Sequence, residues 1–251
     1  MDFELAGKGV IVTGASRGIG RSIALAFASE GANVAVCARN TDGLRAVADE
    51  LGAKKVRVHT GACDVGDEKQ LGAFLDGAAK ALGRVDVMVN NPSALALGDD
   101  EAAWKSAFEV DLMAAVRATW KVVPWMEKVG GGAIIHISSI SGRMGGQPPA
   151  YGALKAAMIS HAKNLSSALA VKKIRVNVVA PGAIDFPDGF WDMVRKSNKP
   201  MYDGILATIP SGRMGTPQEV ANAVVFLASP AASWVTGVTL DVDGGQFPGI
   251  M

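Results

Sequence analysis

Cysteine and histidine are scarce in this chain, with two and three copies among 251 residues. Cys37 and Cys63 match no CxxC spacing and lie in or just after apolar runs, which predicts two buried thiols and not a disulfide. His59, His136 and His161 fall on separate predicted elements, with no cysteine or carboxylate at metal-ligand spacing. We therefore expect satisfied structural histidines and no metal site.

The chain also lacks a surplus of either charge, since it has 25 basic and 24 acidic residues. This balance gives no field strong enough to gather nucleic acid or an anionic membrane, so neither is expected as a partner. No apolar run is long enough to span a bilayer, and the first residues lack the basic start and apolar stretch of a signal peptide. We expect a cytoplasmic protein.

Short β-branched runs recur along the chain, and a longer amphipathic segment follows each of them. They predict strands at residues 9–13, 33–38, 55–60, 85–90, 133–138, 174–180 and 238–242. Strands that alternate with helices indicate the α/β class, here a doubly wound (Rossmann) parallel sheet of seven strands with helices on both faces. No proline-rich, low-complexity or charged linker interrupts the pattern, so residues 1–251 are predicted to form a single domain.

Three helix starts are marked by capping residues. Asp67 with Gln70 resembles a capping box, and residues 216–219 supply a threonine cap, a first-turn proline and a glutamate partner. The acidic residues 99–101 are expected to cap a further helix, because a helix N-terminus favours negative charge.

The stretch TGASRGIG, residues 13–20, follows the first predicted strand and opens a helix. In a dinucleotide-binding turn Gly14 permits the sharp bend, Gly18 lets the backbone approach the pyrophosphate, and Gly20 lets helix and strand pack closely. The free N–H groups of the helix then hold the anion. An ordinary strand-to-helix turn is the alternative, but three glycines and a second strand at the right distance favour a nicotinamide dinucleotide site.

The end of the second predicted strand indicates which dinucleotide is bound. An acidic residue about 20 positions beyond the last glycine would accept bonds from the ribose 2′-OH of NAD(H). Here that place reads CARN, without a carboxylate, and Arg39 together with Arg17 is suited to a 2′-phosphate. NADP(H) is therefore expected ahead of NAD(H), although two solvated surface arginines are the simpler alternative.

Tyr151 and Lys155 are spaced i and i+4, so a helix that begins near Ala150 presents them on one face. A phenol has a pKa of about 10, too high for efficient proton transfer at neutral pH, and an adjacent ammonium lowers it. Ser139, just after a predicted strand, is placed to hold a substrate carbonyl beside the phenol. The YxxxK spacing alone is a weak signal, and it becomes specific in combination with the glycine turn and this serine.

With these residues in place, the chain resembles the classical short-chain dehydrogenase/reductase family from end to end, and 3-oxoacyl thioester reductases within it. The matching elements are residues 13–20, Asp64 and Val65, Asn90 and Asn91, Ser139, Tyr151 with Lys155, Asn177, Pro181 and Gly182, and residues 242–245.

The resemblance implies a role for each matching position. Tyr151 would be the general acid in reduction and the base in oxidation, Lys155 would also bond the nicotinamide ribose, and Ser139 would orient the carbonyl. Asp64 would contact the adenine, Asn90 would lie on the adenosine side, and Ile184 would meet the carboxamide through its backbone. The full set of expected cofactor contacts is Gly14, Ser16, Arg17, Gly18, Ile19, Gly20, Arg39, Asp64, Val65, Asn90, Tyr151, Lys155, Pro181, Gly182 and Ile184.

The chain departs from the family pattern at three places in the expected site. Asp111 stands where an asparagine usually completes a catalytic tetrad, and its charge is expected to pair with Lys155 and retune the proton relay. Pro92 and Ser93 replace the usual Ala-Gly after the paired asparagines, and Phe186 replaces a frequent threonine.

The expected function is an NADP(H)-dependent carbonyl reductase or alcohol dehydrogenase that acts on a small ketone, a secondary alcohol or an acyl thioester. Two alternatives stay open: an NAD(H)-dependent enzyme of the same fold, and a dinucleotide-binding scaffold or sensor that has lost turnover. Residues 185–210 are expected to form a substrate lid, or else helices packed on the core. Small and large apolar residues are mixed around 114–120, and the resemblance implies that such surfaces build a homodimer or homotetramer.

Overall fold

Seven parallel strands form one sheet in the computed structural model, which describes residues 2–250. The strands are β1 Gly9–Thr13, β2 Asn33–Ala38, β3 Val58–Ala62, β4 Val87–Asn90, β5 Gly132–Ile137, β6 Ile174–Pro181 and β7 Thr239–Val242. Their order across the sheet is β3-β2-β1-β4-β5-β6-β7. The predicted doubly wound α/β class is confirmed. β2 and β3 are added on one side of β1, and β4 to β7 are added on the other side, so the strand order reverses between β1 and β4.

Helices cover both faces of this sheet. They are α1 Gly18–Ser29, α2 Thr41–Gly52, α3 Glu68–Leu82, α4 Glu101–Ala107, α5 Ala114–Lys128, α6 Pro149–Leu169, α7 Phe190–Ser197, α8 Lys199–Ala207 and α9 Pro217–Ala228. One core lies under α1, α2 and α9, and includes Phe27 and Val224. The second lies under α3, α5 and α6, and includes Leu75 and Val122. Burial on both faces explains why all residues of β1 and β2 are buried.

The predicted bounds of β1 and β2 agree with the structure, whereas the prediction for β3 was wrong at both ends. Lys55 has a left-handed φ of 60° in the turn that follows α2, so residues 55–57 are not extended strand. β3 begins at Val58 and continues past Thr60 to Ala62. An edge strand with one exposed face carries a weaker apolar pattern, which left its position poorly determined.

The capping residues begin the helices that they were expected to begin. Asp67 accepts hydrogen bonds from the N–H groups of Lys69 and Gln70 at the start of α3. In a full capping box the Gln70 side chain would accept from the Asp67 N–H. It accepts from the Asp64 N–H instead, so this half of the predicted box was wrong. Thr216 forms a complete capping box at α9, and Asp100 caps α4.

Cys37 and Cys63 are free and buried, as predicted. Within residues 2–250, no helix is long and apolar enough to cross a membrane.

Candidate active site

The glycine turn joins the carboxyl end of β1 to α1. Gly14 and Gly18 have φ values of 67° and 55°, which favour glycine. A Cβ atom at residue 20 would clash with the Gly14 carbonyl oxygen and lie 2.5 Å from Nδ2 of Asn91. The turn therefore needs glycine at all three positions, and the predicted approach of Gly18 to a pyrophosphate stays a prediction.

The start of α1 suits an anionic ligand. Arg17 precedes the helix without a side-chain cap, and no acidic residue lies in the first turn. Two other helices that begin at the same edge, α2 and α3, have Asn40 and Asp67 as side-chain caps. Because the first N–H groups of α1 have no cap and its N-terminus carries a positive partial charge, the turn fits the phosphates of a dinucleotide.

Asn91 holds this turn in place, a role that the sequence did not reveal. Its Nδ2 donates to the carbonyl oxygens of Thr13 at 3.1 Å and Gly14 at 2.8 Å. Its neighbour Asn90 is buried in β4 and places Nδ2 3.2 Å from Nδ1 of His136. The only sequence signal was the pair of asparagines at the end of a strand, which did not tell the two apart.

The residues expected around the adenosine follow the carboxyl ends of β2 and β3. Ala38 and Ala62 are register partners, so Arg39 and Asp64 follow neighbouring strand ends at the same edge. The Arg39 side chain is exposed, Asp64 is half-buried, and Val65 is buried. Their proposed contacts with a cofactor stay predictions.

Tyr151 and Lys155 lie one turn apart on α6, with Nζ of Lys155 5.7 Å from the centre of the Tyr151 ring. Lys155 is only 1% exposed and donates to the Ile137 carbonyl oxygen at 3.1 Å. The phenol is more accessible, being half-buried. A fixed, buried ammonium beside an accessible phenol is the arrangement that acid–base work by Tyr151 requires.

Ser139 is brought to the same helix by the turn that follows β5. A Cβ atom at Gly142 would lie 2.7 Å from the Lys155 carbonyl carbon, which shows how closely the turn packs on α6. Ser138 strengthens the junction, because its hydroxyl donates to the Lys155 carbonyl oxygen at 2.9 Å. Ser139 itself accepts from the Ser141 N–H at 3.1 Å, which fixes its side chain at the end of the strand.

Asp111 lies in a π-helical turn, Phe108–Met113, between α4 and α5. Its side chain is fully buried, with Oδ1 3.0 Å from Nζ of Lys155. The Ala94 N–H donates to Oδ2 at 2.9 Å. Oδ1 has no aligned hydrogen bond among the described residues, so its contact with Lys155 is an ion pair held mainly by charge. The π turn was not foreseen in the sequence.

His136 and His161 correct the expectation of fully satisfied histidines. Their ring centres are 5.8 Å apart, and Nε2 of His136 and Nδ1 of His161 are buried with no partner in the described part of the chain. Burial, with smaller contributions from His161 and Lys155, lowers the pKa of His136 from its usual 6.5 to about 3. Burial also lowers the pKa of His161. Both rings are therefore neutral at neutral pH.

The segment after β6 reaches across to the glycine turn. Pro181 ends the strand, Gly182 packs against Asp243, and Ile184 pairs with Gly215 in an isolated bridge. Beyond them the half-buried Phe186 lies over Gly18, so this segment and the phosphate turn are in direct contact.

Residues 185–210 form α7 and α8, which pack on a small core of their own around Ile209 and Met214. The basic side chains of this segment are paired within it. Arg195 and Lys196 both contact the buried Asp192, and Lys199 lies 2.6 Å from Asp203. These cations are therefore neutralised inside the segment.

Comparison with known proteins adds a consistent result over the whole chain. A family model described as enoyl-(acyl carrier protein) reductase matches residues 14–246. The 3-oxoacyl-[acyl-carrier-protein] reductase FabG of Escherichia coli (strain K12) is 40% identical over 254 residues, covering 98% of this chain and 99% of that protein.

Two solved structures resemble the chain closely. L-sorbose reductase from Gluconobacter frateurii, complexed with NADPH and L-sorbose, has a TM-score of 0.90 and 34% identity, with both chains covered completely. A 7 alpha-hydroxysteroid dehydrogenase complexed with NADH and 7-oxo glycochenodeoxycholic acid has a TM-score of 0.90 and 37% identity, covering 97% of this chain and 96% of that one. Similar folds thus carry either nicotinamide cofactor and quite different carbonyl substrates.

Proposed function

This chain belongs to the short-chain dehydrogenase/reductase family of oxidoreductases, and we propose that it transfers hydride between NADP(H) and a carbonyl compound or secondary alcohol. The observation that carries the proposal is Lys155, an almost fully buried ammonium 5.7 Å from the Tyr151 ring. Burial of a charged lysine is costly unless the charge is used or paired. Here it is paired with Asp111 and faces the phenol.

The side chains divide the work as follows. In reduction Tyr151 gives its hydroxyl proton to the carbonyl oxygen, and in oxidation it takes the proton back. Lys155 provides a positive charge for the phenol oxygen, while Ser139 holds the carbonyl in line. When bound, the nicotinamide supplies or accepts the hydride.

The preference for NADP(H) rests on Arg17 and Arg39. Both side chains are exposed, Arg39 follows the end of β2, and no acidic residue occupies that position. A guanidinium there favours a 2′-phosphate through charge-assisted hydrogen bonds. An NAD(H)-dependent enzyme is the alternative, and relative affinities for the two cofactors decide it.

The substrate that fits best is an uncharged carbonyl compound. The basic residues of α7 and α8 are held by Asp192 and Asp203, so none of them is a ready partner for an anionic substrate. The relatives named above act on acyl thioesters, a steroid ketone and a sugar, which defines the classes to be tried.

Exposed apolar side chains on α4 and α5 support self-association. Trp104 and Trp120 are 39% and 65% exposed, and tryptophan is enriched at protein–protein interfaces. We propose a homodimer or homotetramer, to be checked by its mass in solution.

The proposal is tested by following the absorbance of NADPH against a panel of a 3-oxoacyl thioester, a 7-oxo steroid and a ketose. Turnover of one substrate is expected, with Tyr151→Phe lowering kcat by about 10²–10⁴-fold while NADPH binding is retained. Tyr202→Phe removes the only other tyrosine hydroxyl in the sequence and is the matched control. NADPH binding without turnover on any substrate would instead favour the scaffold alternative.

A further inference from the structure

We propose that Phe186 competes with the pyrophosphate of the dinucleotide for the space over Gly18, and so sets the affinity for the cofactor. This inference rests on the proposed function, because it assumes that the glycine turn binds a dinucleotide. It concerns a residue at which the chain departs from the family pattern.

The ring of Phe186 lies between two glycines. A Cβ atom at residue 18 would lie 2.6 Å from Cε2 of the ring, and one at residue 189 would lie 2.9 Å from the same atom. Neither distance is tolerable for a real side chain, so the ring fits only because both residues lack one. The space over Gly18 is also where the backbone of a dinucleotide turn approaches the pyrophosphate.

A second contact holds the same loop against the same turn. Nη1 of Arg17 donates to the Asp188 carbonyl oxygen at 2.8 Å. Asp188 has a left-handed φ of 58°, and its N–H donates to Oδ2 of the buried Asp192 at 3.0 Å. The loop therefore engages two neighbouring residues, Arg17 and Gly18, that are both expected to contact the cofactor.

The ring and the pyrophosphate are mutually exclusive partners for Gly18. Phosphate oxygens need N–H donors or positive charge, and they gain nothing from the negative face of an aromatic ring. A phosphate left against apolar surface without hydrogen bonds is strongly disfavoured. The ring must consequently move away before the pyrophosphate reaches the start of α1.

The cost of moving the ring appears in the measured affinity. When only the fraction of molecules with the ring displaced can bind, the apparent Kd equals the intrinsic Kd divided by that fraction. Exposing a half-buried phenylalanine ring corresponds to roughly a tenfold effect on an equilibrium. Phe186→Ala is therefore expected to lower the Kd for NADPH about tenfold, and Phe186→Leu to lower it less.

The experiment is calorimetric titration of the full chain with three ligands: NADPH, ADP-ribose and adenosine 2′-monophosphate. The first two ligands carry a pyrophosphate and the third does not. Phe186→Ala is therefore expected to strengthen the binding of NADPH and ADP-ribose and to leave the binding of adenosine 2′-monophosphate unchanged. Met193→Ala trims an exposed side chain of α7 and is the control for a general loosening of the segment. It is expected to bind NADPH as the unaltered protein does.

Unchanged or weaker binding of NADPH by Phe186→Ala would overturn the inference and leave the proposed function standing. An equal gain for adenosine 2′-monophosphate, or the same gain in Met193→Ala, would also overturn it, because the effect would not be specific to the pyrophosphate. Absence of dinucleotide binding in every protein, the unaltered chain included, would refute the proposed function itself.

Discussion

Replacing Asp111 with asparagine removes one charge from the centre of the candidate active site and changes little else. The carboxylate is fully buried, lies 3.0 Å from Nζ of Lys155, and accepts a hydrogen bond from the Ala94 N–H at 2.9 Å. An asparagine oxygen can still accept from Ala94. The substitution therefore isolates the contribution of the negative charge.

The first consequence is a loss of stability. Removing one partner of a buried ion pair costs about 3–5 kcal/mol, because the other charge is left uncompensated. The amide dipole retains part of this interaction, so we expect a loss of about 2 kcal/mol. For a chain of this size that corresponds to a fall in Tm of roughly 4–8 °C.

The second consequence concerns the pH dependence of turnover. The ion-pair distance of 3.0 Å and the 5.7 Å between Lys155 and the centre of the Tyr151 ring place the carboxylate oxygen within about 9 Å of that ring centre. At an effective dielectric constant of about 20, two unit charges about 9 Å apart repel by about 2 kcal/mol. Removing this repulsion favours the phenolate, so the profile is expected to move to lower pH.

The assay is kcat/KM for ketone reduction and for alcohol oxidation between pH 5 and pH 10, with Tm measured on the same samples. Asp100→Asn is the matched control, because it removes an exposed carboxylate while asparagine remains a good cap for α4. A profile for Asp111→Asn that superimposes on that of the unaltered enzyme, or that moves to higher pH, would refute the reasoning.

Two further predictions concern His136 and Arg39. Because the pKa of His136 falls from 6.5 to about 3 on folding, its contribution to stability is complete above pH 6.5 and declines as the pH falls towards 3, by about 2 kcal/mol at pH 5. Urea unfolding should show that the free energy of unfolding falls less between pH 7 and pH 5 in His136→Asn than in the control His59→Asn. Equal falls in the two variants would contradict the assignment of this pH dependence to His136. Arg39→Asp should raise the ratio of the Kd for NADPH to the Kd for NADH at least tenfold, because it removes a guanidinium suited to the 2′-phosphate. The control Arg45→Asp should leave this ratio unchanged. An unchanged ratio in Arg39→Asp would show that Arg39 does not set the cofactor preference.

The parts of the fold that follow from local pattern could be predicted from the sequence. β1 and β2 are buried on both faces, so their apolar runs end where the strands end. Thr216 begins α9 because the cap, the proline and the glutamate act within four residues. β3 was misplaced, since an edge strand has only one face to bury and the left-handed turn at Lys55 leaves no apolar signal.

In the candidate site, too, the features that follow from local spacing could be predicted. Tyr151 and Lys155 are joined by helical spacing, which the sequence displays directly. The clamp of Asn91 on Gly14 joins segments 77 residues apart, which no local pattern encodes, so it emerged only in the structure. The π turn around Asp111 also emerged only there.

Asp111 and Phe186 are the two departures from the family pattern with the clearest structural consequence. A buried carboxylate is costly alone, and Asp111 is compatible with the fold because Lys155 lies 3.0 Å away. The Phe186 ring packs where it does because residues 18 and 189 lack side chains. Each unusual residue is thus accommodated through a residue that the proposed function requires, Lys155 in one case and Gly18 in the other.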